Sequence, residues 1–178
     1  MKEIEMDRIK KLAKFTQKIK TEYLIGIKPK ELIQKLREKE IDIVIDIRFS
    51  STYPIYFAQK NIKDILETNR IEYIRYHDLG NPSKFRRESR DNFELAKELY
   101  LEYILNNFKA RQEFIELYKK IRFRKNYCLI CDCKTLNPLL CHRFWLREAL
   151  INAKRIHLGF EGNFILDLKP APIIQEAI

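Results

Sequence analysis

Asn126 to Leu158, NYCLICDCKTLNPLLCHRFWLREALINAKRIHL, reads as a buried strand, a turn, a helix and a second short strand. The first strand is Tyr127 to Asp132 and the second Arg155 to Leu158. Pro138 suits a helix start near Leu139, which places Cys141 in the first turn, where unpaired amides and the helix dipole stabilise a thiolate. Three of the four cysteines fall between Cys131 and Arg143, together with His142, one of three histidines. Chemistry is more concentrated here than anywhere else in the chain.

Upstream, the same alternation repeats. Met1 to Lys20 carries Ile4, Ile9, Leu12, Phe15 and Ile19 at helical spacing, an amphipathic accessory helix. Glu22 to Ile27 reads as a strand, and Pro29 opens a helix ending near Lys39. Ile41 to Ile47 is β-branched on both faces, as in a central strand, and Asn61 is placed to cap the next helix. Ile71 to Tyr76 is a third strand. Asp91 with Glu94 starts a long helix to about Asn107, and Ala110 to Ile121 forms another.

Strands alternating with helices define an α/β fold, a single domain with a mostly parallel sheet of about five strands and helices on both faces. The expected division is an N-terminal helix over 1–20, the α/β domain over 21–158 and a tail over 159–178, where Phe164 to Leu168 reads as a further strand. Right-handed crossovers send every strand's carboxyl end to one rim, where ligands of such sheets bind. That rim gathers Lys28, Arg48, His77 to Asn81, and Cys131 to Arg143.

With 178 residues, 46% hydrophobic, the chain is long enough for one core. It has neither an apolar run of membrane-spanning length nor the apolar centre of a signal peptide, so no membrane partner and a cytoplasmic location are expected. Four cysteines without a secretion signal point to free thiols, a metal or redox chemistry rather than a disulfide scaffold. The formal charge of +10 favours nucleic acid or a phosphorylated small molecule as partner. Two basic clusters supply a contact surface: Lys84, Arg86 and Arg87, and then Lys119, Lys120, Arg122, Arg124 and Lys125. The oligomeric state stays open.

On the rim, Cys141, His142, Cys131 and His77 are the catalytic candidates, with Cys141 as nucleophile and a histidine handling protons. Arg48, Arg143, Asp46 and Asn81 are the anion-binding candidates, arginine matching phosphate or carboxylate with two donors. Asp46 and Arg48 could equally pair with one another. Cys131 and Cys133 share a strand face and Cys128 points the other way. Zinc on Cys131, Cys133, Cys141 and His142 is the lesser alternative, because their spacing does not match a common zinc pattern, and no cofactor is expected. A non-catalytic nucleic-acid-binding module is the other alternative.

Cys131 followed by Cys141-His142-Arg143 resembles the closing motif of the domain of unknown function 488 family. Val44 to Arg48 resembles its Asp-Val-Arg strand end, Ile71-Glu72-Tyr73 its third strand, and Leu79-Gly80-Asn81-Pro82 its Leu-Gly-Asn loop. The resemblance covers about residues 22 to 158. It departs at Gly26-Ile27-Lys28, where the family often has Gly-His-Ser, and at Cys133, where the family commonly has Glu. It implies the α/β fold and the rim as the site, but no established activity. Asp46-Ile47-Arg48 and a cysteine after another strand also resemble rhodanese-type domains, a fold-level analogy to sulfur transfer.

Overall fold

The computed structural model describes residues 2–50, 55–82, 84–85, 92–122, 124–133 and 141–160. Helix α1 (Lys2–Lys18) runs directly into strand β1 (Ile19–Tyr23). Arg147 closes that junction: its Nε donates to the Ile19 carbonyl at 2.7 Å and its Nη2 to the Thr16 carbonyl at 3.1 Å. A cation thus meets the carbonyl end of the helix, which its dipole favours. The strand lies earlier than the Glu22 to Ile27 reading, and Leu24 and Ile27 reach the core from a turn around Gly26, whose φ is 80°.

Helix α2 (Pro29–Glu38) begins with Pro29 at its first turn and buries Leu32, Ile33 and Leu36. Strand β2 (Ile43–Asp46) is buried at every position, as its two-sided apolar pattern requires. Helix α3 (Gln59–Thr68) follows, capped by Ala58 without a side-chain bond. Asn61, expected at the cap, sits inside the first turn, and its amide donates to the Ile55 carbonyl at 3.0 Å.

Strand β3 (Glu72–Arg75) leads through a single 3-10 turn (His77–Leu79) towards helices α4 (Phe93–Asn106) and α5 (Phe108–Lys120). Both helices have asparagine caps: Asn92 accepts from the Leu95 amide and Asn107 from the Ala110 amide. Asp91 lies outside the described residues, so the capping box expected there is not described, and neither are Pro138 and the expected strand at 164–168.

Strand β4 (Tyr127–Cys131) and helix α6 (His142–His157) follow. Among the described residues four strands form the sheet, in the order β1-β4-β2-β3, all parallel. The expected fifth strand is instead the end of α6. The helical stripe of Leu146, Ala149, Leu150 and Ala153 leads up to it, and the helix runs on to His157. Gly159, at φ 77°, then closes the helix. Its amide donates to the Ile156 carbonyl at 2.8 Å and the Phe160 amide to Arg155 at 3.1 Å, the two bonds of a Schellman motif. The helix start is also corrected: His142 is its first residue and Cys141 its cap, not a member of the first turn.

The faces of the sheet divide by parity along β4. Tyr127, Leu129 and Cys131 pack with α1, α4, α5 and α6, whereas Cys128 and Ile130 pack with α2 and α3. The chain therefore leaves β1 and β2 on one face and β4 on the other. That reversal falls at the carboxyl end of β4, the place where the crevice of such sheets takes ligands and where the sequence placed the rim. Among the described residues no helix is long and apolar enough to cross a membrane.

Candidate functional site

Two strand ends and one helix start build the site. At the end of β2, the Asp46 carboxylate accepts from Arg48 Nε at 2.9 Å, from Arg48 Nη2 at 2.6 Å and from the Arg48 amide at 3.1 Å. The Tyr73 hydroxyl adds a fourth donor at 2.8 Å. Asp46 and Arg48 are both fully buried. Burial alone would lower the Arg48 pKa, but its hydrogen bonds and charge pairing with Asp46 outweigh it and raise the pKa. Burial, reinforced by the Asp46 charge, pushes the Tyr73 hydroxyl up. Of the two readings of Asp46 and Arg48, their direct pairing is what the structure presents.

At the end of β4 and the start of α6 lies the sulfur cluster. Cys131 Sγ stands 3.3 Å from Cys141 Sγ, and the Cys133 amide donates to Cys131 Sγ at 3.3 Å. Arg143 Nη1 donates to Cys131 Sγ at 3.0 Å, to the Cys133 carbonyl at 2.9 Å and, more weakly, to Cys141 Sγ at 3.4 Å. The guanidinium also lies 4.6 Å from the Phe144 ring centroid and 6.0 Å from that of Tyr23. His142 completes the group: Nδ1 is 3.9 Å from both Cys133 Sγ and Cys141 Sγ, and Nε2 is 3.3 Å from the Ile47 carbonyl. That last contact ties the end of β2 to the start of α6.

Cys131, Cys141, His142 and Arg143 are buried, and Cys133 is half-buried. Burial would raise the Cys131 pKa. Hydrogen bonds within the cluster and the charges of His142 and Arg143 instead hold it well below the ordinary thiol value. The bond to Cys131 pushes Cys141 up to about 12. The Cys133 amide and the nearer Arg143 contact both fall on the thiol at the strand end rather than on that at the helix start. The three sulfurs and the His142 ring nitrogen lie within 4.8 Å of one another, close enough to hold a metal ion.

The third part of the rim is the 3-10 turn. His77 faces Asp78 at 3.3 Å and stacks on Phe49 with ring centroids 4.8 Å apart. Gly80 lets this turn pass the chain after β2, because a Cβ there would lie 2.4 Å from the Phe49 amide nitrogen. The Asn81 side chain is buried, and its Oδ1 has no hydrogen-bond partner among the described residues. Sequence reasoning missed the supports of this turn. Glu113 of α5 accepts from the amides of Asp78 and Leu79 at 2.7 and 3.1 Å, and the Tyr100 hydroxyl of α4 donates to the Leu79 carbonyl at 2.7 Å. Tyr100 also sets its ring edge-on to His142. No local motif announces such residues; their only signal is a polar atom on an otherwise core-facing helical stripe.

The second basic cluster is not part of this constellation. Lys84 is exposed, and Arg86 and Arg87 lie outside the described residues. Lys119, Arg122, Arg124 and Lys125 are exposed and Lys120 half-buried, between the end of α5 and the start of β4. That position is the amino edge of the sheet, opposite the sulfurs. Lys120 pairs with Glu72 and Lys125 with Asp42, each at 3.7 Å.

The sequence model of one family, described as Domain of unknown function DUF488, matches residues 28–150. This stretch holds both strand ends, the 3-10 turn and the start of α6. No curated protein and no solved structure matches the chain.

Proposed function

We propose, of a chain that belongs to the DUF488 family over more than half its length, that the carboxyl edge is a thiol- and arginine-based site acting on an anionic substrate. The substrate class is a nucleic acid, a phosphorylated molecule or a sulfur donor. One observation carries the reading: Arg143 Nη1 rests 3.0 Å from Cys131 Sγ. A guanidinium held against a buried sulfur favours the thiolate, the nucleophilic form of cysteine. The amino end of α6 adds its positive dipole to the same place. The nucleophile moves accordingly from Cys141 to the Cys131 and Cys141 pair, with half-buried Cys133 as the member nearest solvent. Asp46 and Arg48 hold the floor of the crevice, and Arg143 supplies the charge that an anion meets.

The test compares wild type with Cys131→Ser and Arg143→Gln for turnover of thiosulfate and of short oligonucleotides, and for binding of the same probes. Turnover should vanish in Cys131→Ser while binding persists, and binding should weaken in Arg143→Gln. Unchanged binding and turnover in both folded variants would sink the reading.

A second reading has its own observation, the exposed basic run at the amino edge. In that case the chain binds nucleic acid without catalysis. Affinity then falls steeply with salt and is indifferent to Cys131.

A further inference from the structure

We infer that Cys131, Cys133, Cys141 and His142 form a zinc site, an inference that rests on reading the cluster as a thiolate centre. Four donors of the types zinc prefers converge from two segments separated by ten residues or fewer. With Zn–S near 2.3 Å, the edge of a tetrahedral site is roughly 3.7 Å. The contacts of 3.3, 3.9 and 3.9 Å bracket that edge, and with all four atoms within 4.8 Å of one another the donors take up the ion by drawing in the widest pair.

Three further features belong to a metal site rather than to a packed core. His142 turns Nδ1 toward the sulfurs and gives Nε2 to the Ile47 carbonyl. When Nε2 carries the proton, the lone pair of Nδ1 faces the cluster, and outer carbonyls fix ligating histidines in this manner. The Cys133 amide and Arg143 Nη1 both donate to sulfur, as outer groups around ligating thiolates do. Finally, the charges close. Zinc with three thiolates and a neutral imidazole carries one negative charge, and buried Arg143 supplies one positive charge. A neutral buried assembly avoids the cost of an unpaired charge. Binding replaces the thiol protons with the metal and releases them to solvent. Cys133 then becomes the zinc-held thiolate nearest solvent.

The spacing that argued against zinc, Cys-x-Cys and then seven residues to Cys-His, is overcome by the fold. The strand end and the helix cap present adjacent Cys141 and His142 to one point, because Cys141 is extended at φ −146° and ψ 130° while His142 begins the helix.

The test uses the full chain purified under reducing conditions, measuring zinc per chain by mass spectrometry and the visible spectrum after exchange with cobalt(II). One zinc per chain is expected, with the thiolate charge-transfer and ligand-field bands of a tetrahedral cobalt site. Outer groups alone change metal affinity by about 10–100-fold, so Arg143→Gln should weaken it within that range and Cys133→Ala by at least ~100-fold. Cys128→Ala, on the other face of β4, should leave it unchanged. A reduced wild-type protein that takes up neither metal overturns the zinc site, as does equal weakening by Cys128→Ala and Cys133→Ala. The two readings fail separately: Cys131-dependent turnover in metal-free protein leaves the thiolate reading standing without zinc. A bound zinc with no Cys131-dependent turnover upholds the site and removes the catalytic reading.

Discussion

The two edges of the sheet handle polar groups in opposite ways. At the amino edge, Asn126 works as a hub half-open to water. Its amide donates to Asp42 at 2.7 Å, its side chain donates to the Glu40 carbonyl at 2.8 Å, and Lys18 donates to its Oδ1 at 2.9 Å. At the carboxyl edge, Asp46, Arg48, His142 and Arg143 are withdrawn from water, Asp46 and Arg48 against each other and His142 and Arg143 against sulfur and backbone carbonyls. Exposed ion pairs contribute little, whereas breaking a buried pair leaves an uncompensated charge. The same fold thus has a forgiving edge and an unforgiving one, and the unforgiving edge is the one proposed to carry the chemistry.

The sharpest way to break this comparison is a pair of matched substitutions. Asp46→Ala strands buried Arg48 and should cost about 3–5 kcal/mol in urea unfolding, against about 1 kcal/mol for Asp42→Ala at the opposite edge. Equal costs would abolish the distinction. Gly80→Ala should come next, at about 1–3 kcal/mol, because the added methyl meets the backbone of Phe49 rather than a movable side chain. A thermal shift no larger than that of an exposed loop substitution would show that the 3-10 turn yields.

The two cysteines of β4 sharpen the comparison further. Burial pushes Cys128 up to about 12. Its folded-state pKa is raised, so its contribution is complete below the unfolded thiol value of ~8.5 and is lost as pH rises from there toward about 12. In that window each pH unit should remove about 1.4 kcal/mol, and Cys128→Val should flatten the fall in the denaturation midpoint. A variant as alkali-sensitive as wild type would assign the effect elsewhere. The smallest effect belongs to the amino edge. Replacing Arg122, Arg124 and Lys125 together by Gln should change stability by no more than about 0.5 kcal/mol while weakening oligonucleotide binding in gel shifts at low salt.

Much of this was legible in the chain. Strands β2 and β4 announced themselves by apolar residues on both faces, Pro29 marked the start of α2, and the rim followed from parallel alternation. The misreadings have physical causes. Arg155 to Leu158 looked like a strand because it was read in isolation, although the apolar period of α6 and Gly159 as its stop were already present. Strand β1 begins earlier than expected because Ile19 follows α1 without punctuation and the polar Lys20 and Thr21 continue the strand from it. At the site, Cys131, Cys141, His142 and Arg143 could be named from their concentration. Cys133 could be named with them only as the lesser, zinc-binding alternative, since its convergence depends on how the strand end and the helix cap face each other. Tyr73, Tyr100 and Glu113 were invisible for the same reason: their partners are distant backbone and carboxylate groups.

The place of β4 in the sheet sets the order in which the molecule can assemble. Among the described residues it is the last strand, yet it lies between β1 and β2, pairing Ile19 with Tyr127 and Ile43 with Tyr127. As the chain emerges from the ribosome, β1 and β2 have no ladder partner between them until residue 131 is free. Long-range pairing of this kind slows folding and prolongs the exposure of unpaired strand edges. The step that ends this exposure also delivers Cys131 and α6 to the crevice. A nascent or partly folded chain therefore has scattered thiols, and the cysteine–histidine cluster is assembled only with the completed sheet.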